Sequence, residues 1–223
     1  MAALASHAAG QTPETAGEFW PAADFHAQLQ SNLRLLTFGG LKGGEDFPYQ
    51  QWFVGTGLGY QWKRFSKPHL GNIDPDKEHF LVAGVGYEYL ETVQSGSPAR
   101  ENRIAVQATP RLRPLLDLLV SDRNRVEFRW VNGEYSTRYR NRLTVEYDFV
   151  IHELRVAPYA SAELFYDGAK HWYEEQYAAG LQLPYKRSFK LDMYYLRQNC
   201  ATCTPAHLNV VGMTLEFYFG SGS

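Results

Sequence analysis

The chain has 223 residues, enough for one domain with a sizeable core, and its formal net charge of −2 gives no electrostatic footprint for nucleic acid. No apolar run approaches the ~20 residues that a membrane helix needs, which excludes an α-helical membrane protein. A membrane β-barrel stays open, because only alternate residues of its strands are apolar.

Ten segments alternate between apolar and polar residues, which is typical of β-strands with one apolar face. In chain order they cover about 24–38, 49–64, 79–91, 102–113, 125–131, 138–149, 157–167, 176–183, 189–197 and 208–219. No segment keeps a helical period; the nearest is RPLLDLLVSD at 113–122, where a helical turn or a long bend is the alternative. The pattern predicts an all-β meander without an internal domain boundary.

The sixth segment, RYRNRLTVEYDF at 138–149, poses the question of which face lies inside. One face carries Arg138, Arg140 and Arg142, while the other carries Leu143 and Val145. In a soluble barrel the apolar face would form the core and the arginines would face water. In a membrane barrel the apolar face would meet lipid and the arginines would line the lumen.

Two patterns favour the membrane barrel. Trp52 and Trp62 stand ten residues apart on one apolar face, and a tilted strand of ~9–11 residues crosses a bilayer between two aromatic girdles. Glycine recurs on the polar faces, where a closed barrel needs room for long side chains from the opposite wall. An arginine on the lipid face would cost about 2–4 kcal/mol at the midplane, so the three arginines are expected to point inward.

The predicted fold is therefore a closed antiparallel up-and-down transmembrane β-barrel of about ten strands, with the last strand pairing with the first. The predicted lipid-facing aromatic belt comprises Trp52, Trp62, Tyr87, Trp130, Tyr147, Phe217 and Phe219. The predicted lumen charge network comprises Arg129, Arg138, Arg140, Arg142, Glu127, Glu146, Asp148, Glu163 and Glu216. Because these signs are mixed and such a barrel is narrow, we expect salt bridges to fill the lumen.

The second half of the chain resembles a bacterial outer-membrane barrel family of the domain-of-unknown-function type. The resemblance rests on the ordered blocks RYRNRL, PYASAELFYD, YEEQYAAGL and LDMYYLRQ and on the terminal LEFYF, over roughly 125–219. The terminal block also resembles the C-terminal strand signal of bacterial outer-membrane proteins. The resemblance implies the outer membrane of a Gram-negative-type bacterium, and it implies no catalytic residues.

The sharpest local motif is Cys200-Ala-Thr-Cys203, which lies between the last two predicted strands, in an expected extracellular loop. Haem attachment would need histidine directly after the second cysteine, where Thr204 stands instead. A small-loop disulfide is the preferred interpretation, with free thiols or a zinc site that includes His207 as alternatives. We predict no metal and no cofactor.

Residues 1–19 are interpreted as a signal remnant or a disordered tail, 20–219 as the barrel and 220–223 as an added linker. The leading functional hypothesis is a structural or interaction module of the cell envelope, surrounded by outer-membrane lipid and contacting an envelope protein through its extracellular loops. The alternatives are a narrow channel or small-solute-binding barrel, and an outer-membrane hydrolase. Asp167, His171, Glu174 and Glu175 could supply a general base for a hydrolase, with a solvated, charged loop as the alternative. Ser161 and Glu163 are predicted to face the lumen, but no histidine is predicted beside them, and a nucleophile needs a base within reach.

Overall fold

The computed structural model describes residues 15–44, 49–65, 75–93, 98–115, 117–152, 154–185 and 188–220. These residues form a 3-10 turn at Pro75–Glu78 and the strands β1 (Thr15–Gln30), β2 (Leu33–Gly43), β3 (Tyr49–Arg64), β4 (His79–Thr92), β5 (Ala99–Leu115), β6 (Leu118–Val131), β7 (Glu134–Tyr147), β8 (Phe149–Ile151), β9 (Leu154–Asp167), β10 (His171–Tyr185), β11 (Phe189–Cys200) and β12 (His207–Phe219). No helix in these ranges is long and apolar enough to cross a membrane.

Eleven strands of the described chain close into a barrel, and the three-residue β8 pairs only with the start of β9. The predicted closed all-β barrel of about ten strands is thus confirmed. The expectation of an exclusively antiparallel barrel is wrong at the seam, where β1 and β12 run parallel from Thr15↔His207 to Ala27↔Phe219. An odd number of up-and-down strands requires one parallel pair, because the first and last strands then point the same way.

The additional strand comes from a tight turn that the alternation hides. The predicted first strand, 24–38, is the hairpin of β1 and β2 around Ser31 and Asn32. The apolar alternation continues across this turn from Leu29 to Leu33, and neither turn residue is Gly or Pro. β1 therefore begins at Thr15, before the predicted boundary at residue 20. Its first residue lies beside the first residues of β12, so the two strands start at the same end of the barrel.

The segment at 113–122 is also a hairpin, since β5 runs to Leu115 and β6 begins at Leu118. We call the end of the barrel where β1 and β12 begin the upper end, and the end where both strands finish the lower end.

The two faces of the wall have opposite polarity. On the outside, Leu58, Val85, Val106 and Val126 stand in register across β3–β6 at mid-height, and Val85 and Val106 are 51% and 48% exposed. On the inside, the largest fully buried side chains of the described residues include Glu127 and Glu163. The apolar face therefore points outward and the charged face points into the lumen.

Aromatic side chains pair on the outer wall near both ends. At the upper end the pairs are Trp52–Tyr89, Trp130–Tyr135 and Tyr166–Trp172, with ring centroids 5.3, 5.4 and 5.3 Å apart. At the lower end they are Phe25–Phe217, Phe189–Phe217 and Tyr147–Phe149, at 5.2, 5.4 and 6.2 Å. The apolar band is thus bounded by aromatic rings above and below.

Two glycines on the inner face lie against tyrosine rings from neighbouring strands, where we expected room for charged side chains from the opposite wall. A Cβ atom on Gly212 would lie 2.0 Å from Cζ of Tyr194, and one on Gly180 would lie 2.6 Å from the ring of Tyr159. Both tyrosine rings therefore pack against the backbone of a neighbouring strand.

Candidate functional site: the polar lumen

Glu127 of β6 is the centre of the main charge network in the lumen. Its side chain is 0% exposed. Arg138 donates to Oε2 from Nε at 2.7 Å, Arg140 donates to Oε1 from Nη1 at 3.0 Å, and Arg125 Nε lies 3.0 Å from Oε1. A carboxylate withdrawn from water to this degree is stable only because several charge-assisted hydrogen bonds replace its hydration.

Glu163 of β9 forms a second centre, and Arg140 connects it to the first. Arg140 donates to the two oxygens of Glu163 from Nε and Nη2 at 2.9 and 3.0 Å. Arg142 donates from Nε and Nη2 at 2.9 and 2.5 Å, and Arg123 donates from Nη2 at 2.7 Å. Alternate residues of β7 therefore act as a ladder of guanidinium groups between the two carboxylates.

The network continues to β4 and β5. Glu101 accepts hydrogen bonds from Arg129 at 2.6 and 2.9 Å and from Arg103 at 2.9 Å, and Arg103 also donates to Glu88 at 2.8 Å. We call this connected set the arginine wall. Its described members are Glu88, Glu101, Arg103, Arg123, Arg125, Glu127, Arg129, Arg138, Arg140, Arg142 and Glu163.

The opposite side of the lumen carries carboxylates, and we call Asp24, Asp192 and Glu216 the acidic wall. Glu216 lies 2.9 Å from Lys190 Nζ and accepts a hydrogen bond from the Tyr218 hydroxyl at 2.5 Å. Asp192 accepts one from the Tyr159 hydroxyl at 3.1 Å. In the ring of eleven strands β12 and β1 stand about half-way round from β6, and β11 stands three strands from β7, so most of the acidic wall lies across the lumen from the arginine wall.

A crossbar, residues Pro75–Glu78, spans the lower end. Asp76 pairs with Arg34 of β2 and accepts a hydrogen bond from Gln61 of β3 at 2.5 Å. Lys77 is buried and pairs with Glu146 of β7 on the far side. Its carbonyl also accepts a hydrogen bond from Arg113 of β5 at 2.6 Å. The crossbar is thus tied to strands on opposite sides of the ring and obstructs the lower lumen.

Above the crossbar lies a polar cavity of about 490 Å³. It extends from mid-lumen, at Asp24 and Arg142, to the upper strand ends, at Lys42 and Gln198. The lower part of the lumen is thus crossed by the ion pairs of the crossbar, with a smaller cavity of about 100 Å³ beside Arg34 and Asp76, and the upper part is hollow. This corrects the expectation that salt bridges fill it throughout, because the ladder of β7 lies along one wall instead of reaching across.

A protein-family model described as "Protein of unknown function (DUF2490)" matches residues 16–208. The chain belongs to this family. The match covers β1 to β11 and reaches the start of β12, so it includes both lumen walls apart from Glu216. No curated protein and no solved structure matches the chain.

The structure places the predicted lumen residues of this DUF2490 chain in four locations. Arg129, Arg138, Arg140, Arg142, Glu127 and Glu163 belong to the arginine wall, Glu216 lies on the acidic wall, and Glu146 holds the crossbar. Asp148 lies in the connection between β7 and β8, where its amide donates to the Asp117 carbonyl at 2.9 Å.

The predicted belt residues all lie on the outer wall, at different heights. Trp52 and Trp130 are near the upper end; Trp62, Tyr147, Phe217 and Phe219 are near the lower end. Tyr87 lies nearer mid-height, and its hydroxyl donates to Asn102 at 2.6 Å.

Several members of the site were not predicted. Arg123 preceded the predicted start of its strand at 125, although it continues the alternation of Arg125 and Glu127. Asp76 and Lys77 belong to a connection without any periodic pattern, so no sequence signal placed them in the lumen.

Cys200 and Cys203 form a disulfide in the upper loop between β11 and β12. A carboxylate oxygen of Glu174 and the two sulfur atoms lie within 4.8 Å of one another, but bonded sulfurs are not thiolate ligands for a metal. Glu163, two residues after Ser161, is bound by arginines and is therefore engaged as an ion-pair partner.

Proposed function

We propose that this chain is an outer-membrane β-barrel of a Gram-negative-type bacterium, with a lumen closed to ion flow, serving as a structural or interaction module of the cell envelope. The observation that carries the proposal is the inverted polarity of the barrel. Val106 and Trp62 are 48% and 56% exposed on the outer wall, whereas Glu127 is fully buried inside. In water, an apolar band around the whole barrel would far exceed the few hundred Å² that soluble proteins expose.

Two further features support membrane insertion. Aromatic pairs lie at both ends of the outer band, as in the girdles of membrane barrels, where the rings meet the two interfaces. Closure of the ring gives every barrel strand a hydrogen-bonded neighbour on each side, so no strand has a free edge, as a hydrocarbon environment requires.

The crossbar supports a closed lumen. Lys77 pairs with Glu146 and donates to Gln182 at 2.5 Å, while Asp76 is held on the other side by Arg34. An ion passing through would have to displace these contacts. The proposed envelope partner would meet the upper rim, where the loop after β11 is shaped by its disulfide and by the Ala201 amide, which donates to the Tyr173 carbonyl at 2.9 Å.

Fluorescence quenching in lipid vesicles tests the membrane placement. Two variants would each keep one tryptophan, Trp62 on the outer wall or Trp20 in the lumen cavity, with phenylalanine at the other tryptophan positions. We expect lipids brominated in their acyl chains to quench Trp62 and to leave Trp20 nearly unchanged. Equal quenching of both would contradict the assignment of the two faces, and no quenching of either would contradict insertion.

Arginine substitutions test independently whether the outer wall faces lipid. Val106→Arg puts a charge at mid-height on the outer wall and should destabilise the barrel by about 2–4 kcal/mol. Thr214→Arg is the matched control, because Thr214 lines the cavity beside the acidic wall, where a cation has both space and partners. Equal tolerance in urea unfolding of the vesicle-bound protein would count against a lipid-facing Val106.

A further inference from the structure

The charged side chains that line the upper cavity are segregated by sign. On β4–β9 the lining contains five arginines and three glutamates, whereas on β1, β2 and β10–β12 it contains four carboxylates and one lysine. The formal charges are therefore +2 on one side and −3 on the other. Since the two sides lie across the ring from each other, an electric field crosses the cavity from the positive side to the negative side.

Hydrogen-bonding capacity remains on both sides. Arg142 binds Glu163 through Nε and Nη2, and its Nη1 makes no hydrogen bond with the described residues. Its side chain is 35% exposed, so this group is accessible from the cavity. Asp24 and Asp192 have no cationic group within 4.0 Å in the described part of the chain.

The two aspartates are placed to act together. In the strand register Asp24 is level with Glu216, and Asp192 is level with Thr214 on the same inner face. They therefore flank one short stretch of β12. A carboxylate in a partly enclosed lumen is stabilised strongly by a cation in contact with it. Lys190 acts on both aspartates only from beyond 4.0 Å, and its ammonium group is paired with Glu216.

We propose that the cavity binds a small zwitterion, whose anionic group contacts Arg142 and whose ammonium group faces Asp24 and Asp192. A simple anion would satisfy Arg142 and leave the aspartates uncompensated; a simple cation would do the reverse. Only a molecule with both charges uses both walls. Side chains of Ala22, Ala178 and Leu196 also line the cavity, and a short apolar spacer between the charged groups would contact them.

The size of the cavity fits this class of ligand. Its volume of about 490 Å³ lies within the ~300–1,000 Å³ typical of small-molecule sites. A short peptide with free termini has the required groups, one at each end. This inference does not depend on the membrane placement, because it uses only the inner face.

The test is calorimetric titration of the detergent-solubilised barrel with trialanine in four forms: free termini, N-acetylated, C-amidated and blocked at both ends. We expect the free peptide to bind at least about tenfold more tightly than either singly blocked form, because each block removes one charge-assisted contact. The doubly blocked form should not bind detectably at millimolar concentration.

Variants assign the charges to the walls. Arg142→Gln should weaken the free and N-acetylated peptides about tenfold and leave the amidated one unchanged. The double variant with Asp24→Asn and Asp192→Asn should weaken the free and C-amidated peptides about tenfold and leave the N-acetylated one unchanged. Glu134→Gln, on the exposed start of β7, is the control and should change none of the affinities.

Four outcomes would overturn the proposal. Equal binding of the free and N-acetylated forms would mean an anion site, and equal binding of the free and amidated forms would mean a cation site. Equal affinity of the free and doubly blocked forms, or no binding of any form at millimolar concentration, would refute a charge-selective site. The four peptides distinguish these cases with the wild-type protein alone, so the test is complete even if a variant fails to fold.

Discussion

Replacing Glu127 by glutamine should destabilise the barrel more than a charge change at most other positions. Glu127 is 0% exposed, and it contacts Arg138, Arg140 and Arg125 at 2.6–3.0 Å. Glutamine keeps the shape of the side chain but removes the negative charge, so these guanidinium groups remain together without their common partner. Breaking a buried ion pair from one side costs about 3–5 kcal/mol.

That loss is large compared with the ~5–15 kcal/mol that separates most folded proteins from their unfolded states. The assay is urea unfolding of the vesicle-bound barrel, followed by tryptophan fluorescence. Glu134→Gln is the matched control: the chemical change is the same, but Glu134 is exposed at the start of β7, and a shift within about 0.5 kcal/mol is expected.

A double variant separates lost attraction from general damage. The variant Glu127→Gln with Arg138→Gln removes a guanidinium together with its carboxylate. Its loss of unfolding free energy should therefore be smaller, by about 0.5–3 kcal/mol, than the sum of the losses of the two single variants. A loss below about 1 kcal/mol for Glu127→Gln alone would refute the reasoning, because it would mean that water solvates this carboxylate as well as the arginines do.

Three shorter predictions concern other parts of the barrel. In planar bilayers the wild type should be nearly silent and Lys77→Ala should leak, because the crossbar loses its contact with β7; large steady openings of the wild type would contradict a closed lumen. Gly212→Val should cost about 1–3 kcal/mol in urea unfolding, because its Cβ would meet the Tyr194 ring, whereas Gly168→Ala, with no atom within 4 Å of the added Cβ, should be neutral. Reducing the disulfide Cys200–Cys203 should lower stability by about 2 kcal/mol without opening the barrel, since it closes a very small loop; complete loss of heat-modifiable mobility on gels would contradict this.

Strict alternation predicted two faces of opposite polarity but did not by itself say which one lies inside. The facing was predictable from the spacing of Trp52 and Trp62 and from the glycines on the polar faces, which favoured a barrel with its apolar face outward. The structure shows the same alternation from outer Val85, Val106 and Val126 to inner Glu88 and Glu127.

The number of strands and the seam were not predictable, because alternation does not mark where a strand turns. Ser31 and Asn32 reverse the chain in two residues, and the apolar phase is the same on both sides of the turn. The parallel pairing of β1 with β12 follows from that one hidden turn. The alternation of apolar and polar residues predicts which face of a strand each side chain lies on. It does not predict where the chain reverses direction.

The partners of each charge also lay beyond the sequence, since they depend on register between strands. Arg103 and Glu88 were on predicted polar faces, yet their pairing at 2.8 Å follows from the direct opposition of these two residues in β5 and β4. Lys77 is the more difficult case, because a residue in a connection can enter the lumen without leaving any periodic trace.

The arginine wall contains seven arginines and four glutamates among the described residues. Because the arginines are in excess, we expect some of them to contribute less to stability than the glutamates do. Each carboxylate is buried and shared, whereas Arg142 is 35% exposed and faces the cavity. Arg142→Gln should therefore cost only about 0–1 kcal/mol of stability, because Glu163 keeps Arg140 and Arg123. If the same urea assay showed that Arg142→Gln loses as much stability as Glu127→Gln, Arg142 would be required for folding. It would then not be available as the cationic group that binds a ligand.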